Sequence, residues 1–107
     1  MNNKIEFIHN ASWRYSIAWT YDIPAKTVNC WATFRGKHDK FNRKKAREVL
    51  YSRMKLEHPM YSFKMIATDP NYDVPRRDLI NYEIGEFIVA NIVKIPHVPN
   101  FIKKMWA

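Results

Sequence analysis

The chain has 107 residues, of which 47% are hydrophobic and 15% aromatic; this fits one folded domain and excludes a disordered chain. Its 18 lysines and arginines outnumber its 10 aspartates and glutamates, which gives a formal net charge of +8. A charge of this size favours polyanionic partners and carries no information about the fold. No apolar run approaches the roughly 20 residues of a membrane-spanning helix, so we expect no membrane partner.

Strand patterns fill the first third of the chain. Apolar and polar residues alternate over residues 13–21, the period of a strand with one apolar face. Turn-forming residues follow at 22–26, and the alternation resumes over 28–35. Two alternating runs across a short loop predict an antiparallel hairpin. Residues 4–8 are expected to add a third strand at the edge.

The period then changes to that of a helix. Asn42 is the predicted N-cap of this helix. Its end is predicted at His58, because the following Pro59 disfavours helical geometry in the residue before it. Apolar residues recur at helical spacing at Phe41, Ala46, Val49, Leu50 and Met54.

The second half of the chain predicts one more strand and one more helix. Residues 61–67 alternate again and predict a fourth strand. A second helix is expected from about Arg76 to Lys94, with Pro75 in its first turn. The β-branched residues within 88–95 leave a strand open there as an alternative. The tail 100–107 either docks on its own core or, as a homodimer contact, covers a second subunit.

These elements predict one α+β domain over residues 1–107. We expect a small antiparallel sheet of three or four strands with two main helices packed on it. The expected order is β-β-β-α-β-α, followed by the short C-terminal tail.

Positive charge is concentrated in one segment between Arg35 and Lys55. This segment holds nine of the 18 basic residues, and only Asp39 and Glu48 oppose them. Such dense charge repels itself, which is tolerable where a polyanion neutralises it. Its basic residues are Arg35, Lys37, Lys40, Arg43, Lys44, Lys45, Arg47, Arg53 and Lys55.

Helical periodicity divides this segment into a basic loop and a basic helix face. Lys44, Arg47, Tyr51 and Lys55 are three or four residues apart, so we expect them to line one ridge pointing away from the core. Cations on such a ridge displace counterions from phosphates, and an aromatic ring can stack on an exposed base. Glu48 dilutes the ridge. The basic loop spans residues 35–40.

Trp31 has two readings. It shares a strand face with Asn29, Thr33 and Arg35, and an aromatic ring beside cations on a sheet is typical of nucleic-acid binding. The other reading, which we favour, is that this face lies under a helix or the tail, because large aromatic side chains are mostly buried.

No residue pattern indicates catalysis, a metal site or a cofactor. The four histidines lie on separate predicted elements without ligand spacing, and Cys30 is the only cysteine, which excludes a multi-cysteine zinc site. Acidic residues between Asp69 and Glu86 match no magnesium signature. We therefore expect no catalytic residues, no metal, no cofactor and no enzyme activity. The absence of a disulfide framework favours the reducing cytoplasm.

The segment from Phe34 to Arg47 resembles one found in small accessory proteins of tailed bacteriophages. In those proteins a D-x-F-[NS]-R-K pattern opens a helix after a strand, and it is matched here by Asp39, Phe41, Asn42, Arg43 and Lys44. The resemblance covers about an eighth of the chain. It implies a compact protein made during infection, acting by binding in the host cytoplasm, in a class rich in inhibitors of host enzymes and of antiviral defence.

Two hypotheses follow for the function. The first is non-catalytic binding to the phosphate backbone of RNA or DNA. The second is inhibition of a host enzyme or antiviral defence complex, in which the chain occupies an acidic surface or the nucleic-acid-binding surface of the host protein. The residues predicted to bind either partner are Arg35, Lys37, Lys40, Arg43, Lys44, Arg47, Tyr51, Lys55 and Trp31.

Overall fold

The computed structural model describes residues 5–35, 40, 42–95 and 98–106. Its four strands are β1 (Ile5–Asn10), β2 (Tyr15–Asp22), β3 (Thr27–Phe34) and β4 (Tyr61–Lys64). Its helices are α1 (Arg43–Leu56), α2 (Arg77–Asn91) and the short α3 (Asn100–Trp106). This confirms the predicted α+β class and the order β-β-β-α-β-α, with the tail forming α3.

The four strands form one antiparallel sheet in the order β1-β2-β3-β4. Trp19 pairs with Cys30, and Ile17 pairs with Ala32, so these four side chains lie on the same face of the sheet. Because their neighbours along each strand point the other way, Ser16, Ala18, Trp31 and Thr33 share the opposite face.

The main core lies between the first of these faces and the last two helices. Ile84 and Ile88 of α2 and Ile102 of α3 pack with the apolar side chains of β2 and β3 and are almost fully buried. The Tyr61 and Phe87 rings stack with their centroids 3.9 Å apart, which joins β4 to α2. We call this face of the sheet the α2 face.

Helix α1 covers the opposite face, which we call the α1 face. Leu50 of α1 is fully buried but does not belong to the cluster under α2. Two contacts fix the position of α1. The Tyr51 ring meets the Phe7 ring of β1 edge-on, and the Trp31 indole donates a hydrogen bond to the Glu57 carbonyl. The domain therefore has three layers, with the sheet in the middle.

Several element boundaries differ from the predicted ones. Strand β2 begins at Tyr15 and not at residue 13, and helix α1 ends at Leu56 and not at His58. Strand β4 ends at Lys64 and not at residue 67. Helix α2 begins after Arg76 and ends at Asn91, so Pro75 precedes the helix, and Lys94 lies beyond it. A helix followed by a turn, not a strand, occupies residues 88–95. The expected N-cap holds, since the Asn42 side chain accepts a hydrogen bond from the Lys45 amide at 3.0 Å.

Candidate nucleic-acid interface

The first two turns of α1 carry a concentration of positive charge. Arg43, Lys44, Lys45 and Arg47 fall within five residues, and the first turn contains no acidic residue. The N-terminus of a helix is already the positive end of its dipole, where carboxylates stabilise and cations destabilise. This arrangement opposes the stability of the isolated helix, and a bound anion would relieve it.

The predicted ridge follows the helix away from this N-terminus. Lys44 and Lys55 are exposed and Arg47 is half-buried. The Tyr51 side chain is 45% exposed, although its ring packs against Phe7 with the centroids 5.4 Å apart. From Lys44 to Lys55 the ridge is about 16 Å long at the helical rise of 1.5 Å per residue. The four side chains thus form a band along α1, and at Tyr51 this band borders β1.

The pKa of His9 on β1 reflects the positive electrostatic potential beside this band. Burial lowers the pKa of its imidazole, and the positive charges of Arg43 and Arg47 lower it further. The His9 ring lies 2.8 Å (Nδ1) from the Ser16 hydroxyl. His9 was not among the predicted site residues, and no local pattern could have included it, because its proximity to Arg43 and Arg47 arises only when α1 packs across the sheet.

A cavity of about 530 Å³ lies where the start of α1 meets the ends of β2 and β3. Four basic residues line it, and two of them, Arg14 and Lys45, were not among the predicted site residues. Its lining residues are Arg14, Tyr15, Ser16, Thr33, Phe34, Arg35, Lys40, Asn42, Lys45, Ala46 and Val49. The predicted basic loop and the predicted basic helix therefore meet at one recess.

Contacts within the chain hold the two arginines of this cavity. The Arg35 guanidinium donates to the Ala11 carbonyl at 3.1 Å, and the Arg35 amide donates to the Arg14 carbonyl at 2.7 Å. The Arg14 guanidinium carbon lies 5.3 Å from the centroid of the Phe101 ring, within the range of a cation–π contact. Both side chains are therefore positioned before any ligand binds.

Trp31 lies apart from the other predicted site residues. It is partly buried, and its indole nitrogen donates to the Glu57 carbonyl at 3.1 Å, at the end of α1 opposite the cationic N-terminus. Beside it is a smaller cavity of about 320 Å³ that Arg53 and Glu57 also line. The face of Trp31 does lie under a helix, as the favoured reading expected. Lys37, also a predicted site residue, lies outside the described residues.

Two acidic residues of α2 are engaged within the protein. Asp78 pairs with Arg76 at 2.7 Å, and Glu83 accepts a hydrogen bond from the Tyr61 hydroxyl at 2.9 Å. Within residues 5–35, 40, 42–95 and 98–106, no three histidine, cysteine or acidic side chains cluster in a way that could hold a metal ion. Across the same residues, no helix has both the length and the apolar character needed to cross a membrane.

Comparison of the chain with protein-family models, with curated proteins and with solved structures finds no match. Function therefore has to be inferred from the residues and from the surface that they form.

Proposed function

We propose that this chain is a non-catalytic accessory protein of the tailed-phage type that binds the phosphate backbone of RNA or DNA in the host cytoplasm. The contact surface is the ridge Lys44–Arg47–Tyr51–Lys55 together with Arg43 and the basic residues of the adjoining cavity. No cofactor, metal or reaction is part of this proposal.

The observation that carries the proposal is the cationic N-terminus of α1. Arg43, Lys44 and Lys45 in the first turn stand against the helix dipole, with no carboxylate there, and Arg47 adds a fourth positive charge in the second turn. These positive charges lower the stability of the helix, and a bound anion would restore it. A chain of phosphates supplies such negative charge at regular spacing. Tyr51 adds an exposed aromatic surface on the same band, on which an unpaired base can stack.

A salt series on a triple variant tests this proposal. Replacement of Lys44, Arg47 and Lys55 by Gln removes three phosphate contacts. Since each contact contributes roughly 0.7 to 0.9 to the slope of log K against log salt, the slope should become shallower by about 2 to 3. Binding to single- and double-stranded RNA and DNA would be followed by fluorescence anisotropy.

The matched control removes the same charge elsewhere. Lys64, Lys94 and Lys104 are exposed and lie on β4, after α2 and on α3, so their replacement by Gln should leave the slope nearly unchanged. If the salt slope became equally shallow in the two triple variants, binding would depend on the net charge of the protein and not on the ridge. Absence of binding by the wild-type protein at low salt would refute the proposal.

Glu48 favours a second candidate function, the inhibition of a host enzyme or antiviral defence complex. Its exposed carboxylate lies one turn from Lys44; it repels a phosphate but pairs readily with a basic residue of a protein. Carboxylates of an acidic host surface would meet the cations of the same ridge, and Tyr51 is of a type common at the energetic centres of interfaces. A nucleic-acid-binding surface of a host protein is itself positively charged and would repel the cations of the ridge. The chain would therefore have to block such a surface indirectly, from a neighbouring acidic surface.

Nuclease treatment separates the two functions. A host protein that stays bound after nuclease, that is lost with the triple ridge variant and that is retained by the control variant supports the second function. A partner that disappears with nuclease supports the first.

A further inference from the structure

The recess at the start of α1 differs from the ridge in shape. Its walls come from the ends of β2 and β3 on one side and from the first turns of α1 on the other, whereas the ridge is open along its whole length. Its volume of about 530 Å³ falls within the range of small-molecule sites, which is roughly 300 to 1,000 Å³. The ridge offers an open face to a polymer, whereas the concave recess has the size to take a chain end or a small molecule.

The charge of the recess matches a dianion. Arg14, Arg35, Lys40 and Lys45 line it, and among its described lining residues there is no aspartate or glutamate. A phosphate at the end of a chain carries a charge of about −1.5 to −2 at pH 7, because its second pKa is near 6. A phosphate within a strand carries one negative charge. Four cations in one recess therefore favour the terminal group.

The remaining lining residues can contact the rest of a nucleotide. Thr33, with its hydroxyl, and Asn42 line the walls, together with the apolar side chains of Ala46 and Val49. Ser16 also lines the recess, but its hydroxyl is 2.8 Å from the His9 imidazole, and the Asn42 side-chain oxygen accepts from the Lys45 amide, which leaves its NH2 group for a ligand. Hydroxyls hydrogen-bond phosphate oxygens, and apolar walls exclude water around those contacts. The recess is therefore lined by both the charged and the uncharged groups that a phosphorylated nucleotide can contact.

The recess also adjoins one end of the ridge. Lys45 lines the recess, and Lys44, which begins the ridge, lies in the same first turn of α1 but points about 100° away around the helix axis. A strand whose last phosphate sits between Arg35 and Lys45 would turn around the first turn of α1 and then continue along the ridge towards Lys55. The two surfaces then act as one site that begins in the recess and continues on the ridge.

We propose that this recess binds the terminal phosphate of a nucleic-acid strand, whose following nucleotides lie on the ridge of α1. The inference rests on the proposed nucleic-acid function and adds to it a preference for phosphorylated strand ends. The chemical class recognised is a phosphate monoester on a nucleotide.

Oligonucleotides of one sequence with a 5′-phosphate, with a 3′-phosphate or with two hydroxyl ends test this inference. Wild-type protein should bind one of the two phosphorylated forms about tenfold or more tightly than the hydroxyl form, the scale of charge-assisted hydrogen bonds made by an ionised group. Replacement of Lys40 and Lys45 by Gln should abolish the preference. Both side chains are exposed, so these changes leave the core intact, which circular dichroism would verify.

Replacement of Lys64 and Lys94 by Gln is the matched control and should keep the preference. Equal affinity of the wild-type protein for all three oligonucleotides would overturn the inference and leave the proposed function standing. Failure to bind any strand would overturn both. Adenosine monophosphate is the competitor: if it displaces the phosphorylated strand at equal concentration, the recess is assigned to free nucleotides, and end recognition is refuted.

Discussion

At the scale of single residues, the positive charge of α1 affects the pKa of His9. The imidazole is partly buried and faces two arginines of the helix, and all three effects lower its pKa from the usual 6.5. The neutral form is thus the one that the folded protein accommodates. The same two arginines belong to the surface proposed to bind phosphate, so the pKa of His9 reports the local charge of that surface.

We predict that removal of Arg47 raises the pKa of His9. In Arg47→Gln one of the two repelling charges is gone, and the pKa should move towards 6.5; a bound polyanion should move it in the same direction. Titration of the His9 ring protons by NMR measures both effects. Lys55→Gln is the control, because it removes the same charge from α1 at a position that is not among the causes of the shift.

The lowered pKa of His9 also has a consequence for stability. Above about pH 6.5 His9 is neutral in both the folded and the unfolded chain. As the pH falls below 6.5 the unfolded chain takes up a proton before the folded one does, so this group lowers the free energy of unfolding until the pH passes the folded pKa. Urea unfolding at several pH values should show this decrease, and in Arg47→Gln it should be smaller. An unchanged pH profile in that variant would contradict the assigned cause.

At the scale of elements, α1 combines a buried side with a cationic side. Leu50 is fully buried against the sheet, whereas Leu56 near the end of the same helix is 84% exposed. Both residues are apolar, and only one of them continues the stripe that packs. Leu56 is exposed because it lies beyond the part of α1 that contacts the sheet. The apolar character of its side chain alone does not indicate this exposure.

These two leucines provide a matched pair of truncations. Leu50→Ala should lower the free energy of unfolding by about 2 to 5 kcal/mol, the range for buried leucines, and should loosen the attachment of the cationic helix. Leu56→Ala should change it by less than about 0.5 kcal/mol. Urea denaturation measures both values. Similar costs at the two positions would show that α1 does not pack as described.

Helix α2 shows why periodicity left its second half ambiguous. It is apolar on more than one side: Ile84 and Ile88 are buried, yet Tyr82, Val89 and Val93 around the same segment are exposed. Residues 87–93 are apolar at all positions but one, and such a run satisfies both a helical and a strand pattern. Packing on the sheet decided between them, because the helix aligns its isoleucines into one buried row.

At the scale of the whole molecule, residues far apart in the chain close a single core. Ile102 of α3 is 1% exposed and packs in the same cluster as strands β2 and β3. Phe101 beside it meets Arg14 of the recess. The tail is therefore part of the domain and supports one wall of the proposed binding site. A homodimer through the tail stays a prediction, and it cannot use the buried side chain of Ile102 without rearrangement.

We predict that Ile102→Ala destabilises the entire domain in one transition. The loss of a large buried side chain should lower the free energy of unfolding by about 2 to 5 kcal/mol. Unfolding should stay cooperative, because the cluster joins β2, β3, α2 and α3 in one core. Lys104→Ala on the same short helix, with an exposed side chain, is the control. Separate transitions by fluorescence and circular dichroism would show instead that the tail forms an independent unit.

The sequence by itself determined the local features of this protein. Alternation and helical spacing predicted the strands and helices and their order, Asn42 marked the start of α1, and counting located the excess charge between Arg35 and Lys55. These features depend on neighbours along the chain, where a period of two or of 3.6 residues records which side is buried.

Only the tertiary structure decided which residues meet across the chain. It placed α1 and α2 on opposite faces of the sheet, brought His9 beside Arg43, set Trp31 at the far end of α1, and joined Arg14 to Lys45 in one recess. The physical reason is that each face of the sheet can be covered by any of the helices. The periodicity of a helix shows which of its sides is buried, but not which face of the sheet that side packs against.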